Sequence, residues 1–427
     1  MRERIAIISG FRSAMGKAGG SLKDITADDL GARIVKEVLI RSTVDPNSID
    51  EVVIGNVANP GYAANISRVI ALKAGLPIKT PAYTVHRNCA SGMESITSSA
   101  IKIWAGEADI IIAGGVESMS NIPLLYNKKM TNLFANLFRA KTIFAKLKAI
   151  FSFRLSFLKP IVGVEQGLTD PVSGMLMGNT AEVLAKEFSI TRQEQDEFAL
   201  KSHQKAQKAM EKGIFSEEII PVFNAKNIAV TEDEGVRKNQ EIGGLAKLKP
   251  YFERNTGTVT VGNSSQLTDA AAAMILMKES KAKKLGLKVD GYLTDFAYAG
   301  LEPERMGLGP VYATSKLFDK TKLSLKDIDL IEINEAFAAQ VLACLKAFES
   351  KEFAKKYLHK NAALGKIKEN ILNVNGGAIA LGHPVGMTGS RLVIHILKEL
   401  KRRKKHRGLA TLCVGGGQGA ALILEAE

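Results

Sequence analysis

The 427-residue chain has three cysteines and a single tryptophan. So few cysteines rule out a disulfide scaffold and fit a reducing compartment. No apolar run approaches the ~18 residues that a membrane-spanning helix needs. The first ten residues carry an acid and a short β-like stretch, unlike a secretory signal. The expectation is a cytoplasmic protein, soluble or peripheral at the inner membrane face. Also missing are a Walker P-loop, a dinucleotide-binding Gly-x-Gly-x-x-Gly after a strand, and any Cys/His cluster with ligand spacing. No metal and no permanently bound cofactor is expected.

Acid is absent from one long segment. Between Ser120 and Pro160 there are eight basic residues (Lys128, Lys129, Arg139, Lys141, Lys146, Lys148, Arg154 and Lys159) and no Asp or Glu. From Lys398 to Arg407 seven basic residues face one acid, Glu399. These two segments account for the whole formal net charge of +14, so the rest of the chain is neutral. Basicity confined to two short stretches gives no broad face for nucleic acid. The second stretch follows an amphipathic Ser390–Leu397 helix, whose C-terminal end favours cations, and is expected to face solvent. The first also holds six of the 17 Phe residues, with Leu133, Phe134, Leu137 and Phe138, then Ile143, Phe144, Leu147, Ile150 and Phe151, at helical spacing. That composition suits an interfacial amphipathic helix or helical hairpin meeting an anionic membrane surface. Packing of the same aromatics on the core or on a second subunit is the competing reading.

The remaining 46% apolar, 24% charged composition is that of a globular chain. The first 118 residues alternate strands (Ile5–Ile8, Val52–Val57, Ala82–Val85, and Ile110–Ala113 ending in Gly114-Gly115) with helices. Thr26-Ala-Asp-Asp29 has the form of a capping box opening a helix to about Arg41. Such alternation predicts a parallel sheet covered by helices. Ile49–Ile54 resembles Ile328–Ile333, and Ile110–Gly115 parallels Thr411–Gly416, in the same order. The pattern argues for a duplicated α/β fold. Residues 176–213 read as two helices, with a capping box at Thr191–Glu194 and a stop at Gly213. Residues 222–250 read as an extended loop, and 120–250 as an insertion over the core.

Cys89 sits where a short strand ends and small residues begin a helix, a place where the helix dipole favours thiolate. A lone cysteine is more often a small buried hydrophobe, so this stretch alone leaves both roles open. His383 lies in a glycine-rich turn directly before Pro384, which leaves the ring little freedom and suits a general base. Cys413 precedes Val414-Gly-Gly-Gly-Gln-Gly419, where successive glycines let backbone N–H groups approach a ligand. Asn334-Glu-Ala-Phe337 follows an apolar strand, where active sites of α/β folds collect. Cys344 lies on an apolar helical face and reads as core.

Together Asn88-Cys-Ala-Ser-Gly92, Ala113–Ser120, Met177–Glu182, Gly257–Asn263, Asn334–Phe337, Gly376–Pro384 and Cys413–Gly419 resemble the thiolase family over nearly the whole chain. The resemblance implies two βαβαβαββ-type halves layered α/β/α/β/α. The N-terminal half would take residues 1–119 with about 251–285, the inserted loop domain 120–250, and the C-terminal half 286–427. It implies thiolytic cleavage of 3-ketoacyl-CoA by CoA through an acyl-cysteine, in fatty-acid β-oxidation, with coenzyme A as substrate. Carried onto this sequence, Cys89 is the nucleophile and His383 its base. Asn334 holds a water for one oxyanion site, Cys413 is the second acid/base, and the N–H groups of Cys89 and Gly415 form the other oxyanion site. Ser265, Met177, Ala336 and Phe337 match the pantetheine-tunnel positions. The 120–165 insertion looks like that of the β-subunits of fatty-acid-oxidation trifunctional complexes, which implies a hydratase/dehydrogenase α-subunit partner; those relatives usually carry His where this chain has Asn334. A homodimer or dimer of dimers is also implied. Acetoacetyl-CoA thiolase is the alternative within the family. Ketoacyl synthases and hydroxymethylglutaryl-CoA synthases lack the second cysteine, and a non-catalytic basic membrane- or nucleic-acid-binding protein is the alternative from another class.

Overall fold

The computed structural model describes residues 3–427, which fall into two compact units: Ile122–Thr169, and the remainder of the described chain. The larger unit holds an 11-stranded sheet whose main path is made of nine strands. They are β1 (Ile5–Ser13), β2 (Glu51–Gly55), β3 (Ala82–Val85), β4 (Ile110–Ser118), β5 (Thr268–Lys278), β6 (Gly291–Gly300), β7 (Leu330–Ile333), β8 (Arg407–Val414) and β9 (Gln418–Glu425). Their order across the sheet is β7-β8-β9-β6-β1-β5-β4-β2-β3. Read outward from the central β1–β6 pair, both halves repeat one plan. β5, β4 and β2 follow β1 on one side, as β9, β8 and β7 follow β6 on the other. The matched segments Ile49–Ile54 and Ile328–Ile333 contain β2 and β7, and the other matched pair starts β4 and ends β8. The duplicated α/β architecture is therefore present.

The sheet is mixed rather than parallel. β2 pairs in parallel with β3 and β4, and β7 with β8, but the other pairings between the nine strands are antiparallel. The sequence pattern records strand–helix alternation, which does not carry the direction of β5 or β9. β4 also runs through Gly114-Gly115 instead of ending there. A side chain on Gly114 would meet the Ala272 carbonyl at 2.2 Å, and one on Gly115 the Gly386 carbonyl at 2.2 Å. These glycines serve close approach, not termination.

Helix α1 (Ala27–Ser42) starts after Thr26 as expected, but Thr26 makes no cap to the backbone. Asp28 and Asp29 instead accept from Lys73, at 2.5 and 2.6 Å, on helix α2 (Ile66–Lys73). The side chains of Leu30, Ile34 and Val38, four residues apart, are fully buried. Each contributes roughly 1.5–3 kcal/mol. Helix α3 (Ser91–Ala105) precedes β4. It packs on a buried helix of the second half through Gly92 and Gly389, where an added Cβ would lie 2.7 and 2.4 Å from the opposing backbone.

In the smaller unit, two-residue strands at 124–125 and 161–162 pair, and helices α4 (Lys128–Arg139) and α5 (Ile143–Phe151) form a hairpin. Asn127 and Thr142 cap them, accepting from the amides of Met130 and Ala145. Only a small core of Met130, Leu133 and Ala149 forms between them. Phe138, Phe144 and Phe151 are 93%, 81% and 77% exposed.

The paired helices at 176–213 are α6 (Met177–Glu187) and α7 (Arg192–Glu211), and the Thr191/Glu194 capping box closes reciprocally. Gly213 ends α7 with φ +68°. Residues 222–250 hold only a two-residue strand pair and a five-residue helix. In the second half lie α8 (Gly309–Thr321), α9 (Ala338–Glu349) and α10 (Thr388–Arg403). The basic end of α10 is not simply solvated. Arg402 pairs with Glu217 at 2.8 Å, Arg407 with Glu425 at 2.7 Å, and the Lys401 ammonium donates to the Val289 carbonyl.

Candidate active site

Cys89 lies just ahead of α3, in a tight turn where Ala90 N–H donates to the Arg87 carbonyl at 2.9 Å and Ser91 Oγ to the Asn88 carbonyl at 2.7 Å. The dipole argument from the sequence foresees a lowered thiol pKa. Burial instead pushes the Cys89 thiol up, against opposing help from the backbone N–H groups of Gly415 and of Cys89 itself, with Glu117 raising it further. Cys89 is therefore a thiol that needs a base.

His383 is buried, and burial, aided by the charge of Arg391, lowers its pKa to about 4. The imidazole is neutral at physiological pH. Its Nδ1 lies 2.6 Å from Thr388 Oγ1, while the Thr388 hydroxyl donates to the Pro384 carbonyl at 3.0 Å. With its single proton so engaged, the Thr388 oxygen accepts, which assigns the ring proton to Nδ1. Nε2 is left unprotonated and accepts from Asn334 Nδ2 at 3.4 Å. Asn334 follows β7, its amide bonded to the Thr411 carbonyl at 3.0 Å. Its buried Oδ1 has no protein partner among the described residues.

Cys413 is buried in the last turn of β8, and its thiol is pushed far up by burial and by Cys89. Gly415 follows on the turn that leads into β9, and an added Cβ there would meet Met177 Sδ at 3.2 Å. The Ser265 amide donates to the Ala336 carbonyl at 2.9 Å, the His383 amide to the Gln266 carbonyl at 3.0 Å, and Phe337 packs edge-on against Phe252. Backbone bonds thus tie His383, Ser265 and the Asn334–Phe337 segment together, with Asn334 anchored to the strand that carries Cys413, and the Gly415 N–H reaches the Cys89 sulfur. Cys344 stays apart: it is core, its thiol pushed up to about 12 by burial and donating to the Gly307 carbonyl. A cavity of about 230 Å³, lined among others by Phe198, Lys201, Ser202 and Glu369, opens behind Glu335 and includes neither site cysteine.

Two supporting residues, Glu117 and Asn373, escaped the sequence reading, and a third, Glu335, stood in the Asn334–Phe337 motif without an assigned role. Glu117 is buried and accepts four N–H bonds: from Asn56 Nδ2 (3.0 Å), Val57 (3.2 Å), Ala58 (3.0 Å) and Gly386 (2.8 Å). It thereby ties the β2 end of the first half to the His383 turn; burial raises its pKa to about 7. Glu335, beside Asn334, takes Ser202 Oγ at 2.6 Å and Asn373 Nδ2 at 2.8 Å. Asn373 in turn clasps both backbone groups of Ile333 at 2.9 Å, which fixes where β7 delivers Asn334. The signal for Glu117 was its place at a strand end in Val116-Glu-Ser-Met119; no local pattern singles out Asn373. No group of three or more metal-ligating side chains converges among the described residues.

Residues 5–280 match the thiolase N-terminal domain and residues 287–426 the thiolase C-terminal domain. A 3-ketoacyl-CoA thiolase of Photorhabdus laumondii is 43% identical over 427 residues, all of this chain and 97% of that protein. One from Aliivibrio fischeri is 41% identical, covering 100% and 96%. Among solved structures, the Bacillus anthracis acetyl-CoA acetyltransferase aligns with TM-score 0.87 at 38% identity, covering 99% of each chain. Human mitochondrial 3-ketoacyl-CoA thiolase in complex with CoA aligns with TM-score 0.86 at 34% identity, covering 100% of this chain and 98% of that one. With both domains matched end to end, and the cysteine, histidine and asparagine of its motifs gathered by adjoining loops, this chain belongs to the thiolase family.

Proposed function

We propose that the chain is a 3-ketoacyl-CoA thiolase: it cleaves 3-ketoacyl-CoA with CoA to acetyl-CoA and an acyl-CoA shortened by two carbons, as a step of fatty-acid β-oxidation. The observation that carries the reading is the neutral His383, with Nε2 unprotonated beside an Asn334 whose Oδ1 has no protein partner. His383 Nε2 takes the Cys89 proton, and the sulfur attacks the 3-keto carbon. The C2–C3 bond then breaks, leaving the acyl group on Cys89 and an acetyl-CoA enolate. Asn334 Oδ1 would hold the water that, with His383, stabilises the enolate oxygen. Cys413 gives its proton to the enolate carbon, and the resulting thiolate takes the proton of incoming CoA. CoA sulfur attacks the acyl-cysteine, and Cys89 leaves with the proton returned by His383. The N–H groups of Cys89 and Gly415 would serve the tetrahedral oxygen in both acyl transfers, where one such donor is worth ~3 kcal/mol of barrier. Ser265, Met177, Ala336 and Phe337 would line the pantetheine arm.

The inserted unit supports a peripheral role. Its acid-free hairpin exposes Phe138, Phe144 and Phe151 alongside eight basic residues, the composition of a surface that meets anionic lipid. The half-buried edge strand β3 would support pairing into a homodimer or dimer of dimers, and a hydratase/dehydrogenase subunit remains the expected enzymatic partner. The functional division we retain is 1–119 with 251–285, an inserted 120–250, and 286–427. Thiolysis assays on acetoacetyl-CoA and a long-chain 3-ketoacyl-CoA test the reading. Turnover of the long-chain substrate supports it, turnover of acetoacetyl-CoA alone makes the chain an acetyl-CoA C-acetyltransferase, and no turnover of either overturns it. Equal sedimentation of the full chain and a 125–160 deletion with anionic vesicles would remove the membrane role.

A further inference from the structure

Asn88 is the member of the nucleophile turn that none of these steps uses. Its backbone is left-handed, φ +43°, a conformation asparagine adopts more readily than other residues with a Cβ. Its side chain crosses to the other half of the molecule, where Nδ2 donates to the Gly415 carbonyl at 2.7 Å, 327 residues along the chain. Arg87 makes a parallel tie, Nη1 to Gln418 Oε1 at 3.1 Å, while its Nε is held by Glu94 at 2.5 Å. The turn that Asn88 reaches is Gly415-Gly416-Gly417, with φ +88° and +79° at the last two, and the Arg87 tie lands on Gln418 directly after it. Three glycines have no side chains with which to hold their own geometry. Yet the Gly415 N–H is one of the two backbone groups that stabilise charge on the Cys89 sulfur.

We infer that Asn88 is a positioning residue. Its amide pins the Gly415 carbonyl and thereby the backbone dihedrals of that side-chain-free residue, so that the Gly415 N–H stays in register with the Cys89 sulfur and with the oxygen that develops beside it. The inference rests on the thiolase reading for the second of these roles only. Other groups at the site are left in place by changing Asn88. They are Glu117, whose charge raises the Cys89 thiol; Cys413, which Cys89 pushes up; and the neutral His383.

The test is the pH dependence of iodoacetamide alkylation of Cys89 in the full-length protein, read by mass spectrometry, together with thiolysis kinetics. Asn88→Gly keeps the left-handed backbone and removes the amide. Asn88→Asp keeps the shape and sets a carboxylate against the Gly415 carbonyl, and it carries the test if glycine loosens the turn. Protection of buried Cys344 from alkylation reports that each variant is folded. In both variants the alkylation midpoint should rise by about half a pH unit or more. In both, kcat should fall roughly 10- to 100-fold with KM within about twofold, the Asp variant falling further. A variant that protects Cys344 yet keeps the parental midpoint and kcat overturns the inference. Alkylation needs no turnover, so a parent chain that alkylates normally but shows no thiolysis overturns the functional reading and not the positioning of Gly415.

Discussion

Helices α3 and α10 occupy equivalent places in the two halves. Each leads into a central strand of its half, β4 and β8, and each is entered through a turn carrying a reactive side chain, Cys89 in one case and His383 in the other. Burial acts on both, with opposite effects on pKa: the thiol is pushed up and the imidazole down to about 4. Both groups are consequently neutral at rest. On the proposed mechanism, the duplicated framework sets an acid and a base at matched sites, and desolvation keeps each in the form the other needs. The Cys89–His383 pair itself is thus uncharged at rest, and its charge appears only when the proton moves.

The sharpest way to break this comparison is to remove either partner. Cys89→Ser and His383→Ala should each lower kcat/KM by about 10³-fold or more, and the double variant should be little worse than either alone, because the two act as a unit. Steady-state thiolysis checks this; multiplicative losses would show that they act independently. Cys413→Ala should still form the acyl-enzyme from an activated donor, seen by mass on Cys89, yet lose deuterium exchange into the methyl of acetyl-CoA by roughly two orders of magnitude. Retained exchange would take Cys413 out of the proton transfer.

The helix crossing itself can be tested on stability. Gly92→Ala places a Cβ 2.7 Å from the Ser390 amide nitrogen and should destabilise by about 1–3 kcal/mol, read as a lower urea midpoint at unchanged slope. Gly61→Ala, with nothing within 4 Å, should be near neutral. The smallest effect is electrostatic. Glu117 has its carboxyl raised to about 7, above an unfolded value near 4.5. The folded state therefore binds the extra proton between those values, and this residue's contribution falls as pH rises from about 4.5 to 7. Glu117→Gln should flatten that part of the stability–pH curve; an unchanged slope would mean that the four N–H donors offset its burial.

What the sequence made legible was local. The Thr191–Glu194 capping box, the Gly213 stop and the paired helices of the basic segment depend on neighbours a few residues away, and each is present. The motif order carried the fold and the candidate residues. The direction of β5, the passage of β4 through two glycines, and the ties from Asn88 to Gly415 and from Glu117 to Gly386 depend on partners about 150 to 330 residues distant, of which a local pattern holds no trace. The lowered-thiol expectation for Cys89 failed for the same reason. A helix end is visible in a string of residues, while the burial that outweighs it is assembled from both halves.

The central position of β1 bears on how the chain is made. Ile5 to Arg12 pair with Lys278 to Ala272, and Ile5 to Ile7 with Leu293 to Gly291. At ~5–20 residues per second, the first strand leaves the ribosome roughly 13–50 s before its β5 partner is synthesised. Throughout that interval Ile5, Ile7 and Ile8, all buried in the finished molecule, have no sheet to enter. The second half, whose strands all lie between Gly291 and Glu425, closes soon after its own synthesis. Strand β1 is thus the stretch most in need of a holding chaperone, and the second half finds its place sooner after its own synthesis.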